Sequence, residues 1–215
     1  VEKLTSQLLR QKSTVPRFRL PLTESQAADL LLAAYKAEVA YRHRTFTETR
    51  GCTDSIRKLA HLLTDKESPK FGVMLCGTQG NGKTTLLYAL RSAVNYLSDH
   101  NAFADNGSER IGLSMVCAKD VLHYATNYKF FAELRRKPML AVDDVGREPA
   151  EVLSYGNALT PLTDLIEYRY NNQLFTMLTT NLKAEEVTAR YGRRIADRFN
   201  EMLDVIIFTD GTFRR

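Results

Sequence analysis

Gly77-Thr78-Gln79-Gly80-Asn81-Gly82-Lys83-Thr84 decides how this chain is read. The stretch follows the pattern Gly, four residues, then Gly-Lys-Ser/Thr, in which backbone N–H groups wrap phosphate oxygens. Glycines are needed there because the loop turns tightly and brings its backbone close to the anion. Lys83 places a point charge on the β- and γ-phosphates of a triphosphate, and the Thr84 hydroxyl is a hard ligand suited to Mg²⁺. Thr85 completes the expected nucleotide-binding set. The flanks give the context the motif requires. Phe71 to Cys76 is a short apolar strand, and after the loop Leu86, Leu87, Leu90, Ala93, Val94 and Leu97 mark one side of a helix. That helix starts where the phosphates would sit, so its N-terminal dipole favours them. The order strand, loop, helix separates the motif from a glycine-rich turn that matches by chance.

Working outward, Met139-Leu140-Ala141-Val142-Asp143-Asp144 is the second informative stretch. A buried strand that ends abruptly in two carboxylates calls for a cation at its end. Asp143 is the expected Mg²⁺ ligand, directly or through water, and Asp144 the carboxylate that orients an attacking water. The bland alternative, Asp as a turn or cap residue, is weak beside a phosphate loop. A further strand, Phe175 to Thr179, leads to Asn181, on the edge where open α/β sheets bind ligands. An amide there can hold water or a γ-phosphate; Asn also caps helices, and Lys183 to Arg190 reads as one.

The bulk properties agree with an ordinary globular α/β protein. The 215 residues suffice for one sizeable core with a helical extension. Hydrophobic content of 44% and charged content of 26% are typical. A net charge of +5 permits a polyanionic partner without requiring one. Cys52, Cys76 and Cys117 are odd in number and widely spaced, which suits thiols in a reducing, cytoplasmic compartment rather than disulfides or a metal centre. No apolar run approaches a membrane span.

The remaining chain divides into a basic arm and helical lead-in, residues 1–50, and a nucleotide domain, residues 51–215. Residues 1–20 carry Lys3, Arg10, Lys12, Arg17 and Arg19 and read as a solvated tail. Thr23-Glu24-Ser25-Gln26 has capping-box spacing and opens a helix whose apolar face is Ala27, Leu30, Leu31, Ala34, Tyr35 and Val39. Ile56, Leu59, Ala60 and Leu63 mark a second helix. Ser98 to Arg110 reads as a loop, Ile111 to Cys117 as a strand and Asp120 to Ala125 as a short helix. Tyr128, Lys129, Phe130, Arg135 and Arg136 then interleave rings with cations, the combination that holds single-stranded nucleic acid. The competing reading buries the rings and solvates the cations. Gly146 to Gly156 is a loop, and Leu159 to about Tyr170 a helix. Arg193 to Met202 is the last helix and Val205 to Phe208 the last strand.

Taken together, these motifs resemble the AAA+ ATPases of the DnaC/DnaI/IstB group, bacterial helicase loaders and transposon helper ATPases, in the versions carried on mobile elements. The resemblance spans roughly residues 50–215. It rests on the phosphate loop, Val142-Asp143-Asp144-Val145-Gly146, Leu178-Thr179-Thr180-Asn181-Leu182, Tyr191-Gly192-Arg193-Arg194-Ile195-Ala196-Asp197-Arg198-Phe199 and the closing Gly211-Thr212-Phe213-Arg214. It implies a P-loop NTPase three-layer sandwich around a five-stranded parallel sheet of order 5-1-4-3-2. It also implies Mg²⁺ and ATP as cofactors, Lys83, Asp144, Asn181 and Arg198 as catalytic residues, and Thr84 and Asp143 at the metal. Arg198 matches the arginine finger that acts on a neighbouring subunit's nucleotide. Arg194 and Arg214 are further interface or phosphate candidates. Many AAA+ proteins carry Glu where this chain has Asp144, while members of this group often carry Asp. The implied partners are single-stranded DNA, further copies of the chain, and a replicative helicase or a transposase. The segment before residue 50 is short for a separately folded helicase-binding domain. Outside this group, a small-molecule phosphotransferase would need an arginine-rich lid that is not evident, and a non-hydrolysing scaffold would not need Asp143 and Asp144.

Overall fold

The computed structural model describes Thr5 and residues 15–103, 111–149, 152–154 and 157–213. Its elements are α1 (Glu24–Tyr41), α2 (Arg50–Thr64), β1 (Gly72–Gly77), α3 (Lys83–Asp99), β2 (Ser114–Cys117), α4 (Ala118–Ala125), α5 (Tyr128–Arg135), β3 (Met139–Val145), β4 (Val152–Ser154), β5 (Asn157–Leu159), α6 (Pro161–Asn171), β6 (Phe175–Thr180), α7 (Ala184–Tyr191), α8 (Arg193–Met202) and β7 (Leu203–Phe208). Five strands form one parallel sheet in the order β2-β3-β6-β1-β7. Numbered within that sheet alone and taken from its other edge, this is the expected order 5-1-4-3-2. Among the described residues no helix is long and apolar enough to cross a membrane.

Strand alternation builds the three layers, because successive side chains leave a strand on opposite faces. Val73 and Leu75 of β1, Met139 and Ala141 of β3, and Phe175 and Met177 of β6 pack with α1, α2 and α3 on one face. Met74, Leu140, Val142 and Leu178 pack with α4, α6 and α8 on the other. Burial on both faces accounts for strands that read as nearly continuous apolar runs.

Local signals set several element boundaries. The Thr23 hydroxyl accepts from Gln26 N–H at 3.3 Å, and the Gln26 side chain accepts from Thr23 N–H at 3.0 Å, so the predicted capping box forms. Elsewhere the boundaries move. The second strand begins at Ser114 rather than Ile111, and the helix after it begins at Ala118. Gly146 to Gly156, read as a plain loop, contains β4, which pairs antiparallel with β5 just beyond it, and the helix read from Leu159 begins at Pro161. The end of the basic arm is also not solvated. Leu20 is buried, Phe18 meets Phe175 edge to face at 5.1 Å, and Arg19 donates to the carbonyls of Asp65, Ser68 and Lys70. Those carbonyls lie between α2 and β1, where no ladder satisfies them, and a guanidinium with five donors can.

A second arginine is buried more deeply. Arg169 on α6 is 0% exposed, and burial pushes its pKa down to about 9, so it stays charged at neutral pH. It donates to Thr176 Oγ1 at 2.8 Å, Phe175 O at 2.5 Å, Lys137 O at 2.8 Å and Arg135 O at 3.2 Å. The last two acceptors sit at and just beyond the C-terminal end of α5, where helix carbonyls lack partners and attract cations. Arg169 therefore fixes α5 to the start of β6. Arg169→Met should leave these acceptors unpaired and lower the unfolding free energy by about 3 kcal/mol. Urea denaturation checks that, and amide exchange should quicken most at residues 128–137.

Candidate nucleotide site

The site lies where β1, β3 and β6 end side by side. Cys76 pairs with Thr180 across β1 and β6, and Val145 with Thr180 across β3 and β6. Parallel strands all present their carboxyl ends on one edge, so three loops far apart in sequence meet there.

The phosphate loop takes the form its glycines allow. Gly77, Gly80 and Gly82 have φ of +149°, +83° and +97°, and no side-chain cap closes the N-terminus of α3. Its first N–H groups are therefore left to face the loop's concavity. Lys83, only 5% exposed, donates to Gly77 O at 2.8 Å, Thr78 O at 2.7 Å, Asn81 Oδ1 at 3.1 Å and Asn181 Oδ1 at 2.8 Å. All four acceptors are neutral. An ammonium at this position attracts an anion to the mouth of the loop. Asn181 is reached from β6, so the amide and the lysine singled out in the sequence meet.

On the other side of the lysine, Thr84 Oγ1 donates to Asp143 Oδ1 at 3.1 Å. The same carboxylate oxygen accepts from Thr179 Oγ1 at 2.5 Å, and Thr179 Oγ1 accepts from Asp144 N–H at 2.8 Å. Hydroxyl and carboxylate oxygens side by side form a hard donor set suited to Mg²⁺. Thr179 was not assigned a role from sequence. The available signal was a pair of threonines, both fully buried, at the carboxyl end of an apolar strand. Thr180 uses its hydroxyl to hold Val145 O at 2.7 Å.

Asp144 stands at an irregularity in the sheet. The β3–β6 register shifts between Val142 and Val145, and Asp144 has a φ of +59°. This left-handed backbone turns its carboxylate away from the strand. There it meets Arg147 Nη1 at 3.1 Å, an exposed pair of small energy. The loop beyond is held from an unexpected side. Glu148, 7% exposed, accepts from Gly146 N–H at 2.9 Å and from the Tyr191 hydroxyl, and pairs with Arg190 Nε at 3.4 Å. Burial, followed by the Glu148 hydrogen bond, pushes the Tyr191 hydroxyl pKa up, which keeps it a donor. Glu148 lay in a stretch read as a loop, where nothing in the local pattern marked it.

The remaining sequence candidates separate into three groups. Arg198 on α8 has a side chain 13% exposed, ion-paired with Glu167 on α6 and stacked 5.1 Å from the centre of the Tyr170 ring. Its Nη1 lies against the carboxylate but is not angled for a hydrogen bond. Arg194 shares Glu167 at 3.3 Å and is 74% exposed. Arg214 lies outside the described residues. On α5, where the sequence left burial of the rings open, Tyr128 is 78% and Phe130 54% exposed, beside exposed Lys129 and Arg136. Arg135 lies between two rings, 4.6 Å from the centre of Tyr168 and 5.9 Å from that of Tyr128.

The left-handed Asp144 backbone yields a direct test. Asn tolerates that conformation and a β-branched residue does not. Asp144→Asn should keep the wild-type unfolding midpoint, whereas Asp144→Val should lose about 1–3 kcal/mol of stability in chemical denaturation.

No protein-family model matches the sequence, and no curated protein matches it. Solved structures do. The DnaC helicase loader is similar with a TM-score of 0.58 and 21% identity, over 76% of this chain and 93% of that one. DnaI is similar at 0.54 and 20%, over 77% and 88%. Domain III of the Thermotoga maritima replication initiation protein DnaA is similar at 0.51 and 17%, over 75% and 64%. This chain has the fold of the DnaC helicase loader and of DnaI.

Proposed function

We propose that the chain is a Mg²⁺- and ATP-dependent AAA+ switch of the helicase-loader type, acting on DNA or on a DNA-bound partner such as a replicative helicase. The observation that carries this reading is that residues following β1, β3 and β6 meet at one edge of the sheet, Lys83 donating to Asn181 and Thr84, beside it on α3, to Asp143 at the end of β3. Lys83 would exchange its carbonyl partners for the β- and γ-phosphates. Thr84 and Asp143 would hold the metal, which when bound neutralises charge across the β- and γ-oxygens. Asn181 and Asp144 would position the attacking water. No covalent step is needed: the chain's residues act by placement and by charge.

Arg198 is the residue that would make hydrolysis depend on assembly. Within one chain it is neutralised by Glu167 and covered by Tyr170. To reach a neighbour's γ-phosphate it would trade one anion for another, an exchange that assembly can drive. A finger supplied in trans is worth ~10³–10⁵ in rate. The exposed Tyr128 and Phe130, with Lys129 and Arg136 beside them, support single-stranded DNA as a ligand, because rings left in solvent can stack on bases. The fold shared with DnaC and DnaI favours helicase loading over a transposition helper role.

Two measurements test this reading. Lys83→Ala and Arg198→Ala should each lack ATPase activity alone, and mixing them should restore turnover, since one supplies the finger and the other the phosphate loop. Absence of rescue while both proteins still assemble would refute the trans assignment. Tyr128→Ala combined with Phe130→Ala should weaken single-stranded DNA binding by about tenfold or more, as read by fluorescence anisotropy, with an unchanged melting temperature.

A further inference from the structure

Helix α1 belongs to the segment read from sequence as a lead-in, yet it lies against the phosphate loop. Glu38 accepts from Ser92 Oγ at 2.9 Å, and Arg42 donates to Thr85 Oγ1 at 2.9 Å, so α1 runs antiparallel to α3 and its C-terminal end meets the first turn of α3. Tyr35 closes the contact. A Cβ on Gly82 would stand 2.3 Å from the Tyr35 hydroxyl, so this glycine is required by the approach of α1 as well as by its φ of +97°.

Arg42 occupies a particular place in this junction. Its guanidinium is held at the Thr85 hydroxyl and lies 5.3 Å from the centre of the Tyr88 ring. Both partners are on the first two turns of α3. No described carboxylate forms an ion pair with it. Lys83, Thr84 and Thr85 follow one another at 100° steps around α3, so they face different ways. Thr84 faces Asp143, and Lys83 reaches Asn181. Thr85 faces α1. If the γ end of a triphosphate lies at Asp143 and Asn181, its nucleoside end leaves on the side of Thr85 and Arg42.

We propose that Arg42 is a nucleotide-binding residue, whose guanidinium contacts the α-phosphate of a nucleoside di- or triphosphate held by the phosphate loop. This rests on the reading of Gly77 to Thr84 as a nucleotide site and extends that site to α1. Unlike Lys83, which serves phosphates nearer the γ end, Arg42 acts on a group that ATP and ADP share. It is therefore a retention contact for either nucleotide.

The test is binding of ATP and ADP by calorimetry to wild type, Arg42→Ala and Arg42→Gln. The Gln variant keeps a donor for Thr85 and removes the charge, so the packing of α1 on α3 survives. Both variants should lose about tenfold or more in affinity for ATP and ADP alike, as expected for one charge-assisted contact. Wild-type affinity for ATP and ADP in Arg42→Gln would overturn the proposal, and a lowered melting temperature with unchanged affinity would assign Arg42 to packing alone. A loss confined to ATP would also overturn it, by placing Arg42 at the γ end. Failure of the wild type to bind either nucleotide would defeat the underlying site, a result distinct from normal wild-type binding that the variants share.

Discussion

The hydrogen bond from Lys83 to Asn181 is the interaction on which the geometry of the site depends, because it joins the phosphate loop after β1 to the end of β6. It can form only if those two strands are neighbours, in register, and end at the same height. Five parallel strands ordered β2-β3-β6-β1-β7 meet that demand by placing β6 between β1 and β3. A one-residue slip would turn Asn181 or Asp143 into the opposite layer. The apolar alternation of β1, β3 and β6 resists such a slip, since it would move every core side chain to the wrong face. Core packing is thus the agent that holds the polar edge in place.

At that edge, polar groups of the protein satisfy one another. Thr179 bridges Asp143 and the backbone of Asp144; Thr84 reaches Asp143; Lys83 gathers the loop's own carbonyls. Such a network satisfies its polar groups without a ligand. The irregularity at Asp144 serves the same end. A regular strand would bury that carboxylate along the sheet, whereas a left-handed residue at a bulge directs it outward. The strain is local, and Glu148, tied to Tyr191 and Arg190 on α7, stabilises the turn that follows it.

Buried arginines knit the periphery to this frame. Arg169 anchors the helix carrying the exposed Tyr128 and Phe130, and Arg19 anchors the chain before α1. Both find carbonyl oxygens at places where chain reversal strands them. An exposed aromatic surface and a helix laid over the phosphate loop are in this way linked to the same sheet, though neither contributes to its core strands.

The phosphate loop, the paired carboxylates and Asn181 were legible in the sequence because each is a local pattern whose chemistry fixes residue type and spacing. The helices and most strands were legible for the same reason: periodicity is a property of neighbours along the chain. The exposure of Tyr128 and Phe130 was not, since helical spacing allows rings on either side and only packing against α6 decides. Thr179, Glu148 and Arg42 were illegible too. Each acts through a partner tens of residues away, and no short-range pattern records such a meeting. The sequence alone determined the motifs from which a chemistry is proposed and the order of most of the elements. Tertiary structure alone decided that Lys83 meets Asn181, that Arg198 is sheltered by Glu167, and that α1 borders the phosphate loop, because these contacts exist only once the sheet has set its neighbours side by side.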